Sequence, residues 1–149
     1  MRQEIRSAAL RYLARREHSS RELRQKLIGK DFAEDLVIEV VKEFGVLGYQ
    51  SDERFAAMLA LTRRRQGYGP LRIRQELRQH DIDRWTLPEG EESGWHDEIS
   101  RVHQRQYAGK PPATSKDRLA QERFLRRRGF SGEEIVRFFR HLGAGGRND

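Results

Sequence analysis

Apolar residues recur at the spacing of one helix face along nearly the whole chain, and the pattern repeats across the turns between helices. Shifts of 50 and of 98 residues bring the first such turn onto two later ones. The apolar pairs that flank the three turns are Leu27 and Phe32, Leu77 and Ile82, and Leu125 and Phe130. Since a match through two helices and their turn is hard to obtain by chance, we predict an all-α fold, an elongated array of three tandem three-helix repeats.

Breaks in this pattern set the predicted domain boundaries. The three-helix repeats are expected at residues 1–45, 46–94 and 95–142, followed by a Gly-rich flexible tail at 143–149. A Pro-containing stretch at 108–113 predicts an extended connection inside the third repeat. Repeats of this size bury little apolar surface each, so they depend on their neighbours for stability.

Individual residues predict where helices begin and end. Ser19 or Ser20 is expected to cap the second helix, because a hydroxyl can accept a hydrogen bond from a free amide of the first turn. Gly45 is expected to end the third helix. Ser51 is expected to cap the fourth, and Pro70 suits the first turn of the fifth.

The third helix of the middle repeat is predicted to be shortened or irregular. It would cover residues 84–90, where Pro88 and Gly90 replace the apolar Ile38 and Val40 of the first repeat. Because an interior proline costs a helix about 3 kcal/mol, we expect a short turn and then an acidic loop. The conformation of residues 84–94 is left open.

Basic and acidic segments alternate along the chain. The formal net charge of +7 divides into +6 over residues 1–30, −5 over 31–60, +5 over 61–80, −6 over 81–100 and +7 over 101–149. This alternation is typical either of a repeated unit with basic and acidic parts or of solvated helix surfaces.

Several kinds of chemistry lack the residues they require. The chain has no cysteine, and no nucleophile-elbow, P-loop or dinucleotide-binding motif. His96 and His103 are seven residues apart, about 10 Å along a helix, which is too far for one zinc ion. We therefore expect no catalytic residue, no metal and no cofactor. The chain also has no apolar run long enough to span a membrane, and we expect a cytoplasmic monomer.

Arginines cluster around the predicted turns and form the candidate binding site. Their planar guanidinium groups suit phosphates, carboxylates and aromatic faces, so either nucleic acid or an acidic protein surface would fit. Arginines in succession can also point in different directions and remain solvated. The candidate partner-binding or DNA-binding residues are Arg63, Arg64, Arg65, Tyr68, Arg72, Arg74, Arg78, Arg126, Arg127 and Arg128.

Sequence-specific DNA reading through a third helix is disfavoured by charge. Residues 33–44 carry four acidic side chains against Lys42 alone, so phosphate would repel this helix. The corresponding residues 131–142 begin with Glu133 and Glu134 at the end that would face the bases. Non-specific contact with DNA phosphates through the earlier helices stays open.

Four segments resemble the RecX family of regulatory proteins, in the expected order. Residues 14–23 resemble its R-x-H-S-x-x-E-L start, and residues 45–56 resemble its GYLDD-x-RFA joint. Residues 67–77, with Gly67-Tyr68-Gly69-Pro70, are similar to its most recognisable segment. Residues 123–130 resemble its RFL-x-x-RGF motif. The middle repeat, with Pro88, departs from the family pattern.

The resemblance implies a small bacterial regulator of the RecA recombinase, built from tandem three-helix repeats. Family members bind the RecA–DNA filament and usually inhibit its activity in recombination, DNA repair and the SOS response. The alternative is a general nucleic-acid-binding helical module without sequence preference. For Tyr68-Gly69-Pro70, a structural role in a turn competes with a role in which Arg72, Arg74 and Arg78 contact the filament.

Overall fold

Helices account for the regular structure of this chain. The structure, a computed structural model, describes residues 1–86 and 95–147, the side chains of 144–147 excepted. Within those residues there are eight helices and no strand, which confirms the predicted all-α class. The helices are α1 (Arg2–Arg15), α2 (Ser20–Ile28), α3 (Glu34–Leu47), α4 (Asp52–Arg65), α5 (Pro70–Gln79), α6 (Trp95–Tyr107), α7 (Ser115–Arg127) and α8 (Gly132–Arg147).

The helices divide into two compact units. The first unit comprises Met1–Leu59 and Leu77–Arg84, and the second comprises Ala60–Glu76 and Trp85–Asp149. The division passes through α4 and through α5, so each of these helices contributes one part to each unit.

In the first unit, α1, α2 and α3 pack around a small apolar core. Each helix presents apolar side chains at one-turn spacing, which places them on one buried face. Tyr12, Leu13, Phe32 and Leu36 cover the edge of this core. The buried members are Ile5, Ala8, Ala9, Leu23, Leu27, Val37, Val40, Val41 and Phe44.

The turn between α1 and α2 is fixed by side chains on both of its sides. Ser19 caps α2, as predicted, because its hydroxyl accepts a hydrogen bond from the Glu22 amide at 3.1 Å. The Ser20 amide donates to Asp52 Oδ1 at 2.8 Å, and the Gln50 side-chain amide donates to the His18 carbonyl at 3.2 Å. This turn is thereby held against the one that leads into α4.

In the second unit, α6, α7 and α8 pack around an aromatic core. Phe130 meets Trp95 edge to face, with ring centroids 6.3 Å apart. His103 is 1% exposed, and its Nε2 donates a hydrogen bond to the Gln121 side-chain oxygen at 2.8 Å. The buried polar pair thus satisfies its own hydrogen-bonding needs among aromatic neighbours.

The three turns matched by the sequence repeat share one unusual backbone conformation. Asp31, Asp81 and Gly129 stand at equivalent positions, and all three have positive φ, at 67°, 60° and 99°. In the second and third of these turns, the following residue donates its amide back across the turn, from Ile82 to the Leu77 carbonyl at 2.9 Å and from Phe130 to the Leu125 carbonyl at 3.2 Å. This left-handed residue with a bond around it is a common way to end a helix.

Two helices end later than the sequence predicts. Gly45 does not end α3, which continues to Leu47 and ends at Gly48, whose φ is 83°. Gly48 takes the left-handed conformation that a helix end requires, so Gly45 remains inside the helix. Likewise α8 does not end at Leu142 but continues to Arg147 through part of the expected tail, since adding turns to an established helix needs no new nucleation.

The irregular middle repeat is described only in part. Residues 82–86 are not helical, which fits the predicted loss of a regular third helix. The acidic loop expected beyond them falls on residues 87–94, outside the described part of the chain. The connection at 108–113 is also non-helical, as predicted. No helix of the described residues has the length and apolarity to cross a membrane.

Candidate functional site

Two turns of the second unit cross each other at their glycines. The Gly69 amide donates to the Arg128 carbonyl at 2.7 Å, and the Leu71 amide donates to the Gly129 carbonyl at 2.9 Å. A Cβ on Gly69 would lie 2.6 Å from the Gly129 oxygen, and one on Gly129 would lie 2.6 Å from Arg72 Cβ. The close approach of the two backbones therefore requires glycine at both positions.

Tyr68 lies between two of the candidate arginines. The guanidinium carbons of Arg72 and Arg128 lie 4.6 and 5.1 Å from the centre of its ring. Arg128 also approaches the Phe124 ring at 5.5 Å and donates to the Gln66 carbonyl at 3.3 Å. These contacts stabilise the crossing of the turns, so Tyr68 and Arg128 have a structural role whatever else they bind.

A single carboxylate engages the first arginine of the α4 triplet and one arginine of α5. Arg63 Nε donates to both oxygens of Glu76, at 3.0 and 2.8 Å, and Arg72 Nε lies 3.4 Å from the same carboxylate. The hydrogen bond to Glu76 raises the pKa of the Arg63 guanidinium. Glu76 therefore holds the side chains of Arg63 and Arg72 in place.

Arg64 is engaged in the same way by α6. Its guanidinium lies 4.7 Å from the centre of the Trp95 ring and donates to Glu98 Oε1 at 2.9 Å. The Arg64 side chain is 18% exposed, and that of Glu98 is 8% exposed. Arg64 therefore anchors the end of α4 to the start of α6.

The remaining candidates are exposed. In the second unit these are Arg65, Arg74, Arg126 and Arg127, while Arg78 is exposed in the first unit. Arg74 lies over the Trp85 ring at 5.7 Å, and no ion pair is found for Arg65 or Arg127 within the described ranges. These exposed side chains are available to a partner.

Two further arginines of α6 were not singled out from the sequence. Arg101 and Arg105 are exposed and are four residues apart, so they lie on one face of the helix. Together with Arg64 and Arg65 they line a small cleft, of about 20 Å³, at the end of α4. Their spacing was visible in the sequence, but their meeting with α4 depends on how the helices pack.

A larger cavity of about 570 Å³ borders Arg74 in the second unit. Its other walls include Trp95 and His96 of α6, and Glu133 and Arg137 of α8. Its charged residues are of both signs, and across residues 1–86 and 95–147 no group of three or more His, Asp or Glu side chains is placed to hold a metal ion.

An all-helical chain with short helices, tight glycine-bearing turns and exposed arginines belongs among helical proteins built from small three-helix domains. Comparison with known proteins specifies the family. The family model for the first three-helix domain of RecX matches residues 6–44, and the model for the second three-helix domain matches residues 51–87.

Curated relatives match over most of the chain. The regulatory protein RecX of Acidithiobacillus ferrooxidans is 40% identical over 141 residues, covering 95% of this chain and 90% of that protein. The RecX proteins of Halorhodospira halophila and Legionella pneumophila are 37% and 36% identical over 134 and 138 residues. These two alignments cover 88% and 91% of this chain, and 83% and 92% of those proteins. The chain therefore belongs to the RecX family of regulatory proteins.

Proposed function

We propose that this protein binds the RecA–DNA filament and inhibits RecA in recombination and DNA repair, as a cytoplasmic monomer. The observation that carries the proposal is membership in the RecX family, with a relative 40% identical over 95% of the chain. The family implies RecA as the partner. The arginines of the structure provide groups that can bind a charged surface.

The exposed arginines support this proposal. Arg74, Arg126 and Arg127 present guanidinium groups to solvent in the second unit, and Arg78 does so in the first. Guanidinium forks pair with the carboxylates of a protein surface and with phosphates, and a filament of protein on DNA presents both. Arg63, Arg72, Arg128 and Tyr68 have a supporting role in this proposal, because their contacts hold the turns that precede α5 and follow α7, the helices that carry Arg74, Arg126 and Arg127.

Co-sedimentation tests the proposal directly. RecA is assembled on single-stranded DNA with a non-hydrolysable nucleotide, this protein is added, and the pellet is compared with that from the same DNA alone. We expect the protein to pellet with the filaments at concentrations where bare DNA retains little of it. Equal retention on bare DNA would reject the filament proposal and favour a general nucleic-acid-binding module.

Substitution of exposed arginines tests the surface. Arg74→Ala with Arg127→Ala is expected to raise the protein concentration needed for half-inhibition of the RecA ATPase by about 2- to 30-fold. This range follows from two exposed ion pairs of about 0.2–1 kcal/mol each.

A matched variant controls for the loss of charge. Arg11 and Arg15 are exposed on α1 and lie outside the candidate set, so Arg11→Ala with Arg15→Ala removes the same charge elsewhere. This control is expected to leave the dose curve in place. If both double variants shifted the curve equally, only net charge would matter, and the proposed surface would be wrong.

A further inference from the structure

Among the residues that the structure describes, four arginines of the second unit lie together around one acidic side chain at a cleft. Arg65 and Arg105 are exposed and have no ion pair within the residues that the structure describes, and the Arg101 side chain is 66% exposed. Gly67 leaves bare backbone at the cleft, since a Cβ there would lie 3.0 Å from Val102 Cγ2. The lining residues are Arg64, Arg65, Gly67, Glu98, Arg101, Val102 and Arg105.

Glu98 offsets only part of this positive charge. Its Oε1 accepts hydrogen bonds from Arg64 at 2.9 Å and from Arg101 at 3.2 Å, while its Oε2 is buried and has no hydrogen-bond partner. One carboxylate is thus shared by two of the four arginines. Within the described residues, no carboxylate pairs with Arg65 or Arg105, so their positive charge is available to an anion from outside.

The composition of the cleft discriminates between classes of anionic partner. Protein–protein interfaces have an apolar centre, but the apolar side chain that lines this cleft, Val102, is 7% exposed and offers no such centre. Interfaces with nucleic acid are more polar and strongly positive, and arginine pairs with phosphate through two parallel hydrogen bonds. An acidic protein surface is therefore the weaker match.

We propose that the rim of this cleft binds the phosphodiester backbone of nucleic acid at the protein surface, with Arg65, Arg101 and Arg105 as the contacting residues. This inference deepens the proposed function, on which it rests for the source of the DNA, because it separates a DNA contact in the cleft from the filament contact of Arg74 and Arg127. Within the described parts of the chain, no aromatic side chain lines the cleft, so bases have no stacking surface there. Binding is consequently independent of sequence and occurs with single strands and duplexes alike.

Fluorescence anisotropy with labelled oligonucleotides, in the absence of RecA, tests the cleft. The variant is Arg65→Ala with Arg105→Ala, since neither side chain supports the fold through an ion pair. We expect severalfold weaker binding of a mixed-sequence duplex and of its single strand. Because the variant neutralises two phosphates fewer, the slope of log affinity against log salt should become shallower by about 1.8 for the duplex and about 1.4 for the single strand.

Two controls make the result specific. Arg11→Ala with Arg15→Ala removes equal charge from α1 and should leave both slopes unchanged. Glu98→Gln keeps the shape of the buried side chain but removes its negative charge, and should tighten binding. Unchanged slopes in the Arg65 and Arg105 variant, or weaker binding by Glu98→Gln with its helicity intact, would overturn the inference.

An acidic polypeptide used as the probe distinguishes a protein partner from a nucleic-acid partner. Labelled polyglutamate is titrated under the same conditions, and we expect the cleft variant to change its binding much less than that of the oligonucleotides. A larger loss for polyglutamate would assign the cleft to an acidic protein and reject the nucleic-acid inference. The oligonucleotide assay contains no RecA, so its result does not depend on whether the protein co-sediments with filaments. The two proposals can therefore fail separately.

Discussion

His18 is a buried titratable residue whose environment favours the neutral ring. It is 1% exposed, its Nδ1 lies 3.0 Å from the Arg16 carbonyl, and its Nε2 lies 2.9 Å from Lys26 Nζ. A carbonyl can only accept, so Nδ1 carries the hydrogen and Nε2 accepts from the Lys26 ammonium. A second ring proton would remove that acceptor and place two positive charges side by side.

Acid is therefore expected to destabilise the first unit through His18. Burial lowers the pKa of His18 below its ordinary value of 6.5, and the charges of Arg16 and Lys26 act in the same direction, against the Arg16 carbonyl and Glu22. Stability contributed by the neutral ring is present above pH 6.5 and is lost as the pH falls through the lowered pKa. Urea unfolding between pH 7.5 and pH 5 should show the free energy of unfolding decreasing.

A variant that does not titrate separates the contribution of His18 from that of the other histidines. His18→Asn retains a donor for the Arg16 carbonyl but does not titrate, so its stability should depend less on pH than that of the native protein. If His18→Asn had the native pH dependence, the loss of stability in acid would originate elsewhere.

At the scale of single residues, sequence predicted local chemistry better than contacts between distant residues. The sequence predicted a cap at Ser19 or Ser20, and Ser19 is the cap, because this role depends only on the next three residues. The engagement of Arg63 by Glu76 and of Arg64 by Glu98 was not predicted, since these partners are 13 and 34 residues away. Arg101 and Arg105 were missed for the same reason.

The recurring turn between helices is the element that defines the repeat. Its left-handed residue is aspartate in two cases and glycine in the third. A Cβ in this conformation costs about 1–2 kcal/mol, less for aspartate than for most residues. The first two turns contain this strain at Asp31 and Asp81. The third turn has glycine, because there is no space for a side chain beside Arg72.

Exchange of the two residue types between turns should have opposite effects. Asp31→Gly removes the left-handed strain at an exposed position and is expected to raise the free energy of unfolding by up to about 1 kcal/mol. Gly129→Asp places a Cβ 2.6 Å from Arg72 Cβ and is expected to lower it by about 2–4 kcal/mol. Denaturant unfolding measures both, and a stabilising Gly129→Asp would contradict the close approach of the two turns.

The periodicity of apolar residues predicted the helices and turns well, and it predicted helix ends less well. The shifts of 50 and 98 residues make Asp31, Asp81 and Gly129 equivalent in sequence, and in the structure all three residues have positive φ. The prediction that Gly45 ends α3 was wrong, because the helix continues for two more residues to Leu47 and Gly48 takes the left-handed conformation at its end.

At the scale of the whole molecule, the two units are joined by shared helices. α4 and α5 each continue from one unit into the other, so unfolding of either unit has to break a helix that belongs to both. Both tryptophans, Trp85 and Trp95, belong to the second unit. Tryptophan fluorescence therefore reports on that unit, whereas circular dichroism reports on all helices.

A cavity in the apolar core of the first unit is therefore expected to lower the stability of the second unit as well. Leu27→Ala, at a fully buried position, is expected to cost about 2–5 kcal/mol. We expect the circular dichroism and fluorescence transitions of this variant to shift together to lower denaturant. Separation of the two curves, with fluorescence unchanged, would show that the shared helices do not couple the units.

The crossing at Gly69 and Gly129 also bears on how such a chain can change in length. Two backbone hydrogen bonds connect these turns, so an insertion or deletion in either one would shift the register of the other, 60 residues away. The stretch at 108–113, with Pro111 and Pro112, has no backbone hydrogen bond to another turn among the described residues. Added loops, tags or grafted segments are therefore best accommodated there, while the two glycine turns have to vary together or stay as they are.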